Sequence, residues 1–224
     1  MELLDQSVGW IARNIPGSTR VFHEHQLDFC CGGNQPLGQA LADRGLAAGP
    51  VVDALTALQL STGGDVDWAK ASKKDLIAHI LSRYHARHRE QVQELIRLAS
   101  RVEHVHGERE GCPVGLAAHL NDMLQELESH MMKEEQILFP MLERGFSVKQ
   151  VAAPISVMRF EHDQHGEALR KLHALTNDIT LPKGACNTWR ALYAGLAQFK
   201  EDLMQHIHLE NNILFADEWE AVCA

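Results

Sequence analysis

One pattern of histidine and glutamate occurs twice in this chain, as SHMMKEEQILF at residues 129–139 and as QHIHLENNILF at residues 205–215. A second pattern precedes each copy, YHARHRE at residues 84–90 and EHDQHGE at residues 161–167. The preceding patterns lie 77 positions apart, and the later ones lie 76 apart. This spacing indicates that one pair of helices was duplicated together with its metal-ligand side chains.

Apolar residues recur around these patterns at steps of three and four, which is typical of long amphipathic helices. We predict helices from Ser72 to Gly107, from about Pro113 to Gly145, from about Val148 to Asn177, and from about Ala185 to Trp219. Their apolar stripes are Ala78, Leu81, His85, His88, Val92, Leu95, Ala99 and Val102; Leu120, Met123, Leu127, His130, Glu134, Ile137 and Met141; Val151, Ile155, Met158, His162, His165, Leu169, Leu172 and Thr176; and Trp189, Leu192, Leu196, Phe199, Leu203, His206, Glu210 and Ile213. Four such helices joined by short connections predict an all-α fold, an antiparallel four-helix bundle.

The first part of the chain has shorter helical patterns. Ser7 is placed to cap a short helix, and Gly49-Pro50 is expected to separate two more. A run of serine, threonine and glycine from Ser61 is typical of a linker. We therefore predict a small helical N-terminal domain at residues 1–60, a linker at 61–72 and the bundle at 73–224.

Composition excludes several functions. The 224 residues include 30 acidic and 21 basic side chains, and the formal net charge of -9 disfavours binding to nucleic acid or to anionic membranes. The sequence shows no apolar run long enough to cross a bilayer and no secretory signal, so we expect a cytoplasmic protein. Five cysteines, an odd number, agree with a reducing compartment.

Two carboxylates, Glu134 and Glu210, interrupt apolar stripes that contain no lysine or arginine. An isolated buried carboxylate costs several kcal/mol, and a bound cation would remove that cost. Four histidines and two glutamates exceed the ligand set of one tetrahedral zinc ion, which favours two metals. Mixed imidazole and carboxylate ligands suit iron best, with manganese and zinc as lesser candidates.

Spacing alone leaves some roles open. It does not choose between His85 and His88, or between His162 and His165, because both members of each pair lie on the stripe. Three further acidic residues near the ligand-bearing turns could relay protons or line an access path, although a solvated face is the favoured interpretation. These three are Glu126, Glu135 and Glu161.

The repeated motifs resemble those of hemerythrin-like di-iron domains. Together with Phe29-Cys30-Cys31-Gly32-Gly33, they look closely like the Repair of Iron Centres family, the YtfE/ScdA type. The resemblance implies a hemerythrin-like bundle that holds two non-haem iron ions with an oxo or hydroxo bridge. The implied ligands are His85, His130, Glu134, His162, His206 and Glu210, with both glutamates bridging. It also implies redox chemistry, nitrosyl transfer or transient iron binding at Cys30 and Cys31.

The family resemblance further implies the repair of iron-sulfur clusters damaged by nitric oxide or oxidants, with iron-sulfur proteins as clients. The leading hypothesis is donation of iron from the di-iron centre. One alternative is binding, sequestering or sensing of nitric oxide or dioxygen, and another is enzymatic reduction of nitric oxide. The sequence leaves open whether the protein is an enzyme and whether it is a monomer or a homodimer.

Overall fold

The computed structural model describes residues 2–30, 33–60 and 67–216. The regular elements in these ranges are helical, and no β-strand occurs among them. The prediction of an all-α fold is therefore confirmed. None of the described helices combines the length and the apolar character needed to cross a lipid bilayer. The predicted linker falls largely on residues 61–66, which lie outside the described residues, as does the predicted helix end at Trp219.

The α-helices of the described residues range in length from five to 25 residues. In chain order they are α1 (Val8–Asn14), α2 (Ser18–Glu24), α3 (Leu37–Asp43), α4 (Ala48–Leu60), α5 (Lys73–Ile80), α6 (Ala86–His106), α7 (Leu116–Lys133), α8 (Phe139–Glu143), α9 (Ala152–Thr176) and α10 (Asn187–Leu209). Three π-helical segments, Leu81–His85, Glu134–Leu138 and Glu210–Leu214, continue α5, α7 and α10.

The chain divides into two compact units, one formed by residues up to Leu76 together with those from Met204 onwards, the other by Ile77–Leu203. In the first unit, the Ser7 side chain accepts a hydrogen bond from Trp10 N at 3.1 Å and caps α1, as predicted. The predicted break at Gly49-Pro50 is wrong, because both residues lie in the first turn of α4. A proline is tolerated there since its missing N–H would have no partner within the helix.

In the second unit, α6 and α7 run antiparallel. Arg89, near the start of α6, donates to Glu128 near the end of α7 at 2.8 Å. At the other end of the pair, the backbone N–H of Ala117 donates to Glu103 at 2.7 Å. Early residues of one helix thus meet late residues of the other, as a short connection between neighbouring helices predicts.

The same type of contact orients the two remaining long helices. Between α7 and α9, His119 contacts the carbonyl of Ala168 at 2.8 Å and His130 contacts Glu161 at 2.9 Å. Between α6 and α10, Arg87 donates to Asp202 at 3.1 Å, and the ring centroids of His106 and Trp189 lie 5.4 Å apart. In both helix pairs, earlier residues of one helix contact later residues of the other. Helix α9 is therefore antiparallel to α7, and α10 is antiparallel to α6.

The π-helical segments change two of the predicted stripes. After Glu134, the predicted residue Ile137 is 54% exposed, whereas Leu138 and Phe139 are buried. Before His85, the predicted residue Ala78 is exposed, whereas Leu76, Ile77 and Ile80 are buried. Two further predicted residues, Leu81 in the first stripe and Met141 in the second, are only half-buried. A π turn contains one extra residue, which rotates the following side chains by about 100° relative to a continuous α-helix. The stripes predicted for α9 and α10 are confirmed, since all their residues are buried.

Candidate metal centre

All six side chains that the family resemblance implies as ligands are buried. Their relative exposures are 0% for His85, 2% for His130, 0% for Glu134, 0% for His162, 1% for His206 and 0% for Glu210. The alternative histidines, His88 and His165, are buried as well, at 0% and 3%. Burial alone therefore does not choose between the members of each histidine pair.

Imidazole nitrogens converge on Glu134 within the second unit. Glu134 Oε2 lies 3.5 Å from His85 Nε2 and 3.5 Å from His130 Nε2. His162 Nε2 is 3.0 Å from His130 Nε2, so three Nε2 atoms surround one buried carboxylate. On α10 and the π-helical segment that follows it, His206 Nε2 lies 3.0 Å from Glu210 Oε1.

Two sets of four buried side chains among the described residues could hold a metal ion. One set is His85, Glu134, His206 and Glu210, and the other is His130, Glu134, His162 and Glu210. Both glutamates belong to both sets, whereas His88 and His165 belong to neither. The donor set of neutral imidazole nitrogens and carboxylate oxygens fits a pair of iron ions.

Carboxylates contact the outer nitrogens of two of these histidines. His85 Nδ1 lies 2.8 Å from Glu135 Oε1, which also accepts from Arg89 at 2.9 Å. His130 Nδ1 lies 2.9 Å from Glu161 Oε2, and Lys133 donates to the other oxygen of Glu161. A carboxylate that accepts from Nδ1–H fixes the ring tautomer and leaves the Nε2 lone pair for a metal.

These contacts bear on the three acidic residues whose roles the sequence left open. Glu135 and Glu161 do not lie on a fully solvated face, because each holds a histidine of the candidate centre. Burial alone would raise the pKa of Glu135, but the hydrogen bonds from His85 and Arg89 outweigh it and lower that pKa. Glu126 lines a cleft of about 280 Å³ together with Glu161.

The π-helical segments coincide with the candidate ligands. His85 ends the first segment, Glu134 begins the second and Glu210 begins the third. Such segments often occur at functional sites, where the extra residue re-aims a side chain. The three-four spacing of apolar residues did not reveal these segments, since a regular α-helix satisfies that spacing equally well.

The described cysteine of the predicted pair lies close to the third π-helical segment. Cys30 is buried, and its thiol and backbone N–H both donate to Asp28 Oδ1, at 3.3 Å and 3.1 Å. Its carbonyl accepts from Asn211, the residue after Glu210, at 3.3 Å. Cys31 lies outside the described residues.

His208 lies in the same unit, against the loop that leads to Cys30. Burial lowers the pKa of His208 to about 4. The amide nitrogen of Asn212 donates to His208 Nδ1 at 2.9 Å and to the carbonyl of Phe29 at 3.2 Å. A proton on Nδ1 would oppose the amide donor, so the packed arrangement requires a neutral ring.

We expect acid to destabilise the fold through His208. Its pKa is about 4 in the folded chain and about 6.5 when unfolded, so the unfolded chain takes up the proton first. The stabilisation is complete above about pH 6.5, and about 3 kcal/mol of it is lost as the pH falls towards 4. Urea unfolding across this range should show the loss in wild type, a smaller loss in His208→Gln, and no change from wild type in the exposed-site control His104→Gln. Identical pH profiles for wild type and His208→Gln would contradict the assignment.

Comparison with known proteins agrees with this geometry. Helices carrying buried sets of histidine and glutamate define a hemerythrin-like, cation-binding protein, and the family described as Hemerythrin HHE cation binding domain matches residues 76–217. A second family, ScdA_N, described as a domain of unknown function, matches residues 4–59.

Close relatives narrow the class. The iron-sulfur cluster repair proteins YtfE of Yersinia pseudotuberculosis serotype IB (strain PB1/+) and of Yersinia pestis (strain Pestoides F) are each 51% identical over 215 residues, which cover 96% of this chain and 97% of the relative. The chain therefore belongs to the Repair of Iron Centres family, the YtfE/ScdA type. This confirms the resemblance found in its motifs.

Proposed function

We propose that this protein repairs damaged iron-sulfur clusters by donating iron from a di-iron centre. The observation that carries the proposal is the pair of fully buried carboxylates, Glu134 and Glu210, shared by two sets of histidines. The residues that would hold the two irons are His85, His130, Glu134, His162, His206 and Glu210. When bound, the irons would supply exchangeable iron and could take a small ligand.

The chain's own residues would prepare the site for both binding and release. Glu135 and Glu161 hold the Nδ1 protons of His85 and His130, so that both rings present Nε2. Imidazole binds a metal only while it is neutral, so a proton arriving at a ligand histidine weakens the site. Arg89 donates to Glu135 and Lys133 donates to Glu161, and these bonds hold the two outer carboxylates in place.

We assign Cys30 and Cys31 a redox or transfer role in the same process. The hydrogen bond from Asn211 to the Cys30 carbonyl supports this assignment, because it ties Cys30 to the residue after Glu210. The clients would be iron-sulfur proteins of the cytoplasm. A monomer and a homodimer are both compatible with this function.

The names of the relatives favour cluster repair over the alternatives. Binding or sensing of nitric oxide or dioxygen, and reduction of nitric oxide, would use the same open coordination position. Neither alternative is favoured by the family matches, and the gaseous ligand stays a prediction.

The test is recovery of a client. A purified dehydratase whose iron-sulfur cluster has been damaged with nitric oxide is incubated with the iron-loaded protein, a sulfide source and a reductant. We expect its activity to recover faster than with the zinc-loaded protein, or with apoprotein plus an equal amount of ferrous salt. Recovery no better than with ferrous salt would contradict iron donation.

A further inference from the structure

An ionic cluster ties the helix that leads to His206 to the segment that carries His85. The Asp202 carboxylate on α10 is 3% exposed. Its Oδ1 accepts from Arg83 at 2.7 Å and its Oδ2 from Arg87 at 3.1 Å. We call these three residues the Asp202 clamp.

The clamp spans the candidate ligand position on both sides. Arg83 lies in the first π-helical segment, two residues before His85, and Arg87 lies two residues after it. Asp202 lies one helical turn before His206 on α10. A single buried carboxylate thus fixes the chain on either side of His85 to this helix.

The burial of Asp202 distinguishes the clamp from an ordinary surface ion pair. The side chains of Arg83 and Arg87 are 38% and 51% exposed, whereas the carboxylate that they share is buried and depends on them as donors. Each oxygen of Asp202 has its own guanidinium donor, and Gln198 adds a third hydrogen bond at 3.1 Å. The hydrogen bond to Asp202 raises the pKa of Arg83 above its usual value.

The duplicated half of the chain has no such clamp. At the matching positions, Asp202 is replaced by Glu126, Arg83 by Phe160 and Arg87 by Gln164. Glu126 and Gln164 line the cleft of about 280 Å³, and Phe160 is 63% exposed. Lys133, which also lines that cleft, pairs with Glu161. The helices are therefore joined by ion pairs at Asp202, whereas the matching residue in the other half, Glu126, borders a cleft.

We propose that Asp202 is a positioning residue that holds the His85 segment and thereby slows the loss of iron from the site. The proposal rests on the proposed function, because it concerns the iron that this centre would hold. Asp202 acts through the two arginines and does not itself bind the metal. Its replacement frees the backbone around His85, and the ligand then leaves the metal more often.

The first test measures the transfer of iron from the loaded protein to a ferrous chelator. We expect release from Asp202→Asn to be about tenfold faster than from wild type, the size of effect typical for residues that support metal ligands. Asp202→Glu keeps the charge and should restore most of the slow release. The control Val102→Ala removes buried volume near the other end of α6. It should release iron at the wild-type rate, because Val102 lies far from His85 along the helix.

A second readout uses the apoprotein and does not depend on iron. Amide hydrogen exchange at residues 81–88 should be faster in Asp202→Asn and unchanged in Val102→Ala. If Asp202→Asn does not fold, Arg87→Gln takes its place with a smaller increase expected in both rates. If iron release and hydrogen exchange in Asp202→Asn, or in Arg87→Gln in its place, are as slow as in wild type, the proposal is wrong. If wild type binds no iron, the proposed function fails, while hydrogen exchange still decides whether the clamp exists.

Discussion

Replacing Glu134 and Glu210 together by alanine is expected to lower the bound iron from the proposed content of about two ions per chain to almost none. Both carboxylates are fully buried and both belong to the two sets that could hold a metal. Without them, the four neutral imidazoles offer no negative charge to balance the cations and no bridging oxygen. Elemental analysis of freshly purified protein measures the change.

Two controls separate metal loss from misfolding. Glu90→Ala combined with Glu167→Ala removes two exposed glutamates from the repeated motif and should leave the iron content unchanged. The apoprotein of the Glu134 and Glu210 variant should still unfold cooperatively in urea, since the apolar residues that pack the helices are unchanged. Iron retained after loss of both glutamates, or zinc alone in wild type, would show that the repeated motif is not the di-iron site.

Phe199→Ala is expected to lower the free energy of unfolding by about 3–5 kcal/mol. Phe199 is fully buried on α10, and its ring meets that of His88 edge-on at a centroid distance of 5.6 Å. Truncation removes apolar contacts and leaves a cavity that the surrounding helices fill only in part. Urea unfolding of the apoprotein measures the loss.

Phe160→Ala serves as the matched control for this change. Phe160 is 63% exposed on α9, so the same truncation should alter stability by no more than about 0.5 kcal/mol. Equal losses for the two variants would show that α10 is not packed as described.

The sequence predicted helices best where the helix is regular. The α9 stripe, and the α10 stripe as far as His206, were correct because their three-four spacing matches an α-helix of 3.6 residues per turn. The stripes around Ala78 and Ile137 failed because π-helical segments shift the buried face. The sequence does not reveal that shift, because the apolar residues before and after a π-helical segment each follow a regular three-four spacing.

The candidate site could be predicted only in part from the sequence. Glu134 and Glu210 could be identified because each interrupts an apolar stripe. Their motif also occurs twice at a matched spacing, which a chance occurrence would not explain. The choice of His85 over His88 needed the family resemblance. Asp202 could not be found from the sequence, because its arginine partner Arg83 lies 119 residues away and only folding brings them together.

Following a stable iron isotope from this protein into a client tests the central claim most directly. The protein is loaded with labelled iron, unlabelled iron is present in solution, and the rebuilt cluster of the client is analysed by mass spectrometry. Iron donation predicts that the label appears in the cluster as the label on the protein declines. A rebuilt cluster that contains only unlabelled iron, while the label stays on the protein, would contradict it.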